Sequence, residues 1–488
     1  MIFLIVLIAF MVRMLPIRWI PTPWYPDHFY LSAFDPYFQY RVTEHIVENG
    51  FLSWGWFDDR SWYPWGRDVF RTAYPGLPMT TAFFYTILNA LAVPIDLVEF
   101  CLIFPAIMGA VTCLIIYFVG RDIGGELVGL FSAFFLALNS SHISRTSLGF
   151  YDDETVGIFG ILLSTLFFLR SIEERPLKDR VIYAVAAGLS LGYLCASWGA
   201  ARYAIDITVL FVFVLLLMRR YTPRLMTSYS LCFASALMIA GIVPRLGVRF
   251  LSGAFILPVY GVFLLMCILE INRRIKAKKM RLIGVAVFLA LLTVASLVLW
   301  RLGYIHLPAG KYISVLNPFE REAAPLIESV AEHRTSTWAT FYYDLELLVF
   351  FVPIGLFFAA RMLTDKSIFL LIFTLTSIYF ASSMIRLTLI MAPAICLICA
   401  LGIDRVTKPF VMFLREEAPR VPKRKMRFEA RLGKEYSAAF LIIIFLLFTL
   451  VYVIGTDFTV GRGASRPRVI QQAYAPTTMA AASMGVRP

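Results

Sequence analysis

Charge is what this sequence has least of. Only 16% of its 488 residues are Asp, Glu, Lys or Arg, against 59% hydrophobic, and the mean hydropathy is +0.75. A soluble domain carries about a quarter charged residues, so a soluble globular class is excluded. Phosphate-binding P-loop, GxSxG and Cys/His zinc spacings are absent, which removes the commonest nucleotide, serine-hydrolase and zinc readings. No internal repeat or low-complexity segment is visible, which weighs against a transporter built from repeats. The seven cysteines, Cys101, Cys113, Cys195, Cys232, Cys267, Cys396 and Cys399, all fall in apolar runs and read as small core hydrophobes. Cys396 and Cys399 have redox spacing but lie inside an apolar run, so the spacing is discounted. No cleavable signal peptide is evident, and Met1 to Val12 reads as a short first span.

Long apolar runs are what the chain has instead. After the first span comes a polar segment rich in Trp, Tyr, Pro and Asp, from Arg13 to Leu97, with a moderately apolar helix at Leu77 to Val93. Then follow Phe100–Gly120, Leu127–Asn139, Thr155–Leu169, Val181–Ser197, Tyr203–Met218, Met226–Val243, Phe250–Leu269 and Leu282–Trp300. A second polar segment covers Arg301 to Tyr343. Leu345–Ala360, Ile368–Ser383, Leu387–Gly402 and Ala438–Gly455 complete the set. The expected fold class is an all-α polytopic membrane protein of about 13 spans with two long external loops. The expected domains are a transmembrane catalytic domain over 1–455, with external loops at 13–97 and 301–343, and an external tail over 456–488.

Loop charge sets the orientation. If Leu77–Val93 lies flat or re-enters, more than half of the 45 Lys and Arg residues fall on one face. They come from Arg121, Arg170–Arg180, Arg219–Arg224, Arg273–Arg281, Arg361–Lys366 and Arg405–Lys434. That is the positive-inside pattern. It also explains the formal charge of +13 without recourse to nucleic acid. The opposite face receives three acidic sites: Phe34-Asp35-Pro36, the run GFYDDETVG with Asp152, Asp153 and Glu154, and Glu332-His333.

Three consecutive carboxylates before an apolar helix are costly unless something positive meets them. The plain alternative is an Asp152 N-cap, with the other two favourable at the helix dipole. On the parity above, Asp35, Asp152, Glu154 and Glu332 converge at one surface, and hard oxygen donors of this kind suit Mg²⁺ or Mn²⁺. Arg386 interrupts two apolar runs. It is either a snorkelling arginine or a clamp on an anionic, lipid-attached group. Arg145 lies on the same side, suited to pair with the Asp152 cluster. His333 alone reads more readily as a hydrogen-bonding loop residue than as a ligand.

Seven stretches together carry a resemblance: FDPYFQYR (34–41), WFDDRSWYPWGR (56–67), YPGL (74–77), SRTSLGFYDDE (144–154), SWG (197–199), SVAEH (329–333) and MIRLTLIMAP around Arg386. In this order they resemble the catalytic subunit of oligosaccharyltransferase, the enzyme of asparagine-linked glycosylation. The resemblance implies the C-type glycosyltransferase architecture. It also implies transfer of an oligosaccharide from a dolichol-(pyro)phosphate-type lipid to the asparagine of Asn-X-Ser/Thr. By that resemblance Asp35, Asp152 and Glu154 bind Mn²⁺ or Mg²⁺, and Asp35 and Glu332 engage the acceptor amide. Arg386 holds the lipid-linked phosphate, and Arg145 and His333 lie beside the substrates. The implied partners are lipid-linked oligosaccharide, acceptor polypeptide and membrane lipid, with other subunits possible in principle and no nucleic acid.

The family also carries a WWDYG motif in a globular domain that recognises the Ser/Thr. This sequence reaches Pro488 without it, so that domain is expected either as a truncated continuation or as a separate polypeptide. An archaeal cell membrane with an external active site is the expected location, with the endoplasmic reticulum and a luminal site as the alternative. A protein O-mannosyltransferase would share the first-loop acids but is not expected to show YDDE or SVAEH. A transporter would place its ionisable residues at mid-membrane.

Overall fold

The computed structural model describes residues 1–18, 31–274, 278–303, 331–414 and 434–449. The 456–488 tail, most of the 301–343 segment, Ser329 and Val330 of SVAEH, and the end of the Ala438–Gly455 run lie outside the described residues. The chain divides into two compact units. The first comprises Met1–His28, Gly109–Leu148 and Thr335–Pro488, and the second Phe29–Met108 and Gly149–Arg334.

Helices dominate both, as they must where no water is available to satisfy backbone groups. Among the described residues six helices are long and apolar enough to cross a membrane: Leu97–Gly124, Glu154–Ser171, Leu177–Ser197, Pro223–Ile242, Asp365–Ser383 and Ile385–Met412. A seventh arises if Trp338–Leu345 and Leu348–Met362, which meet at 86°, form one broken span. Four apolar helices are shorter: Ile2–Ile17, Glu126–Leu138, Leu282–Val298 and Glu435–Thr449.

Two expected runs are interrupted. Phe250–Leu269 breaks into Gly247–Leu251 and Leu257–Arg274, with Ser252, Gly253 and the helix-starting Pro258 at the break. Leu345–Ala360 bends where Glu346 takes a positive φ of 49°. The Leu77–Val93 run forms the helix Gly76–Ala90, 15 residues long. At 1.5 Å per residue that is about 22 Å, short of the roughly 30 Å hydrocarbon layer.

In the first unit the helix Thr388–Leu414 is the buried axis, its residues from Leu389 to Leu401 almost wholly inside. Helix Leu348–Met362 crosses it at Gly355, where an added Cβ would come within 2.1 Å of the Ile398 carbonyl oxygen. Small residues permit this approach, as is usual for helices packed in lipid.

In the second unit Glu154–Ser171, Leu177–Ser197 and Pro223–Ile242 pack side by side. Charge separates along them. At one end of the bundle Arg224 pairs with Glu174 at 2.7 Å and Tyr221 donates to Glu270 at 3.0 Å, tying three basic turns together. The other end carries Glu154 and the preceding acids.

The first polar segment folds onto this acidic end. Helix Phe34–Asn49 packs on Gly76–Ala90 through a cluster of Val42, Ile46, Trp54, Val69, Ala73 and Ala82. A two-residue hairpin pairs Phe57 with Asp68 and Asp58 with Arg67. Asp58 fixes it: its wholly buried carboxylate takes Arg41 Nη2 at 2.7 Å and Nε at 2.8 Å, Ser61 Oγ at 2.6 Å and the Arg60 amide at 3.2 Å. These bonds, the Arg41 fork first, hold the Asp58 carboxyl well below the usual carboxylate range.

Asp58→Asn leaves the partly exposed Arg41 fork half-paired and should cost about 1–2 kcal/mol of stability. Thermal unfolding of the purified chain checks this. Because the folded pKa is depressed, the contribution is full above the unfolded carboxylate pKa of about 4 and fades as pH falls below it. The wild-type advantage over Asp58→Asn should therefore shrink on acidification and not between pH 5 and 8.

Candidate active site

The acidic run and the Asp35 helix are held together by side chains of the second unit. Asp35 occupies the first turn of Phe34–Asn49 and is exposed. One helical turn on, Gln39 donates from Nε2 to Asp153 Oδ1 at 2.9 Å. One turn further, Thr43 Oγ1 bonds the Gln39 carbonyl and, at 2.8 Å, the hydroxyl of fully buried Tyr151. The Ser32 amide donates to the Gly149 carbonyl at 3.0 Å, and the Gly149 amide to Leu102 at 2.9 Å. Gly149 has φ +86°, a conformation that suits glycine. The spacing i, i+4, i+8 along one helix face thus meets residues 149–153 in register.

The N-cap reading of Asp152 does not hold. Asp153 is the cap residue of Glu154–Ser171, and it makes no side-chain cap bond. Its carboxylate is turned to Gln39, while Asp152 Oδ1 accepts the neighbouring Asp153 amide at 2.7 Å. Asp152 is 7% exposed and Glu154 1%. Glu154 enters the first helical turn, where the dipole favours its charge.

A cation lies among these acids. Arg67, the last residue of the WFDDRSWYPWGR stretch, stacks over Phe38 at 3.7 Å and Trp62 at 4.6 Å. Burial and the Arg245 charge oppose its protonation, while Asp35, Asp58 and Asp153 favour it. Arg67 Nη2 donates to the Thr72 carbonyl at 3.3 Å, and Arg245 Nη1 donates to the same oxygen. Arg245 is stacked over Tyr74 at 3.9 Å. Two guanidinium groups converging on one carbonyl form a positive edge beside the acidic one.

The remaining candidates sit as follows. Glu332 and His333 occupy the turn Ala331–His333 of the second unit, Glu332 half-buried and His333 buried. Arg145 caps the short helix Ser140–Ser144 in the first unit, half-buried. Arg386, also of the first unit, is half-buried in the turn Ile385–Leu387 between two apolar helices. Among the described residues no three His, Cys, Asp or Glu side chains gather closely enough to hold a metal ion as they lie. The donor chemistry still fits a hard divalent cation, because Asp35, Asp152 and Glu154 contribute carboxylate oxygens from elements that Gln39, Thr43 and Tyr151 bind to one another.

Gln39, Thr43, Tyr151, Arg67 and Arg245 were not singled out from the sequence. A signal was present for the first of them, since Gln39 lies four residues from Asp35 and so on its face of the helix.

Comparison with known proteins places the chain. A family model described as oligosaccharyl transferase STT3, N-terminal, matches residues 3–399. The STT3B subunit of the dolichyl-diphosphooligosaccharide–protein glycosyltransferase of Arabidopsis thaliana is 33% identical over 395 residues, 79% of this chain and 53% of that protein. The STT3 subunit of Dictyostelium discoideum is 29% identical over 452 residues, 91% of this chain and 62% of that protein. The chain thus spans little more than half the length of these curated relatives.

Among solved structures, the apo oligosaccharyltransferase of Archaeoglobus fulgidus matches with a TM-score of 0.74 at 17% identity, over 97% of this chain and 56% of that one. The same archaeal protein with an inhibitory peptide and a dolichol-phosphate gives 0.73 at 18% identity, over 98% and 55%. These two are likenesses of fold. With the family model matching most of its length, the chain belongs to the oligosaccharyl transferase STT3 family.

Proposed function

We propose that this chain forms the membrane-embedded catalytic part of an oligosaccharyltransferase. It moves a glycan en bloc from a dolichol-(pyro)phosphate-type carrier to the asparagine of an Asn-X-Ser/Thr sequon. The observation that carries the reading is the bonded register between the Asp35 helix and the acidic run, together with family membership. The archaeal relative solved with an acceptor peptide containing the NVT sequon, and with a dolichol-phosphate, supports this pair of substrates. A WWDYG-bearing domain, as a continuation of this polypeptide or as a separate one, completes sequon recognition. The site faces the outside of an archaeal cell membrane, or in a eukaryote the lumen of the endoplasmic reticulum.

Each residue has a role its chemistry suits. Asp35, Asp152 and Glu154 would hold Mn²⁺ or Mg²⁺, which when bound would supply Lewis acidity to the leaving phosphate. Asp35 and Glu332 accept hydrogen bonds from the acceptor amide and orient its nitrogen toward the anomeric carbon. Arg386 clamps the lipid-linked phosphate with its planar fork, and Arg145 and His333 line the substrates. Gln39 holds Asp153 away from the reacting centre and fixes the distance between the two acidic elements.

The overall test supplies the purified chain with a WWDYG domain, lipid-linked donor and an Asn-X-Ser/Thr peptide. Glycosylated peptide should form with Mn²⁺ or Mg²⁺ and vanish in EDTA. Turnover that survives complete chelation removes the metal from the reading.

Gln39→Leu deletes one bond to a charged acceptor, worth about 1.5–3 kcal/mol. Turnover should fall roughly tenfold or more with helix content unchanged by circular dichroism, and Gln39→Glu should fall further because it sets a second carboxylate on Asp153. Wild-type rates in both would detach this bond from the site.

Arg386→Ala should raise the donor KM several-fold while the peptide KM holds, and Arg386→Lys should restore only part of the loss. Equal movement of both KM values would remove the phosphate-clamp role. Glu332→Gln should lower turnover with donor binding intact; a silent substitution would mean that Glu332 serves only the local loop.

A further inference from the structure

The basic end of the second unit holds a cavity that the transfer reaction does not use. It has a volume of about 810 Å³, is walled by Leu269, Leu282 and Val285, and is edged by Tyr221, Arg273 and Lys279. We propose that this cavity seats the headgroup end of an anionic phospholipid, whose acyl chains run along the helix Lys278–Arg301.

The walls and the rim differ in chemistry. The walls continue onto a helix whose apolar side chains are bare: Leu282 is 76% exposed, Leu291 63% and Leu297 53%. A soluble anion gains nothing from such a surface, whereas a hydrocarbon chain does. The rim is positive. Glu270 accepts Arg273 Nη2 at 3.1 Å and Tyr221 Oη at 3.0 Å, a solvent-exposed pairing that joins the arginine to the tyrosine at the mouth. Arg273 and Lys279 outnumber that single acid. Tyr221 supplies the amphipathic ring favoured where hydrocarbon meets headgroup. A cavity that is apolar inside and basic at its mouth, between helices on the positively charged face, matches an amphiphile with a negative head. A zwitterionic lipid would fill the same walls but would not use the charges.

The inference stands on the membrane residence of the chain and is read as binding, so it does not depend on the transfer reaction. The purified chain in neutral detergent is titrated with phosphatidylglycerol or phosphatidylcholine, and retained lipid is counted by native mass spectrometry. Phosphatidylglycerol should be held about tenfold more tightly, two surface cations each contributing a modest attraction. Arg273→Gln combined with Lys279→Gln should bring it to the phosphatidylcholine level. Val285→Trp, which leaves every charge in place, should weaken its retention by narrowing the apolar wall. Arg361→Gln with Lys408→Gln, on the other unit, should change nothing.

Equal retention of the two lipids overturns the proposal. So does undiminished phosphatidylglycerol binding in a double variant that melts like the wild type, or in Val285→Trp. An equal loss in the Arg361/Lys408 control would show diffuse attraction with no seat. Displacement by soluble glycerol phosphate at matching concentration would assign the rim to a free anion.

Discussion

No backbone amide or carbonyl can be left bare in hydrocarbon, and every other feature of this chain follows from that constraint. It forces the spans to be helical and spends their side chains on packing. Chemistry is thereby displaced to helix ends, where backbone direction changes and polar atoms reach water. The second unit shows the result plainly. Helix Glu154–Ser171 carries its acids at one terminus and Arg170 in its last turn. The interior between is apolar. Asp35, Asp153, Glu154 and Arg386 are all residues of a first turn, a cap or a break between helices.

The same constraint explains the most buried cation. Arg13 closes the helix Ile2–Met14 with its side chain wholly inside the first unit. An isolated guanidinium there would be prohibitive. Its planar fork instead reaches four neutral acceptors: Thr146 Oγ1 at 2.7 Å, the Ala9 and Ala137 carbonyls at 2.9 and 3.0 Å, and His142 Nδ1 at 2.8 Å. Because arginine only donates, His142 must present Nδ1 as an acceptor and carry its proton on Nε2. The Leu148 amide in turn donates to the Arg13 carbonyl at 3.0 Å. Gly109 makes room, since a Cβ there would come within 2.4 Å of Arg13 Nε. The loop from Asn139 to Leu148, which bears Arg145, is therefore anchored by the first helix from both its side chain and its main chain.

Helix class, the short Leu77–Val93 element and the segregation of basic turns were legible in the sequence because they depend on run length and local charge. The bend at Glu346 and the break at Ser252 to Ile256 were not. Hydropathy averages over a window, and a single positive φ or a glycine between apolar residues hardly moves the average. The acids were legible as residues, since charge next to an apolar run is conspicuous. Their partners were not. Gln39 is neutral and Tyr151 is aromatic, and neither announces its bond to the other element, Gln39 to Asp153 at 2.9 Å and Tyr151 to Thr43 at 2.8 Å. Arg13 reads as the first polar residue after a span, and only the tertiary acceptors show it to be interior.

The acidic end of the second unit is a balance of opposite charges, not an acidic patch. Burial and the Arg245 charge oppose the protonation of Arg67, and the charges of Asp35, Asp58 and Asp153 favour it. Its guanidinium sits over Phe38 and Trp62 at 3.7 and 4.6 Å, contacts that favour this position over one against a carboxylate. A cluster of carboxylates alone would favour a cation and repel an anion, whereas Arg67 and Arg245 on the Thr72 carbonyl, with Asp153 held by Gln39, present charges of both signs at this end.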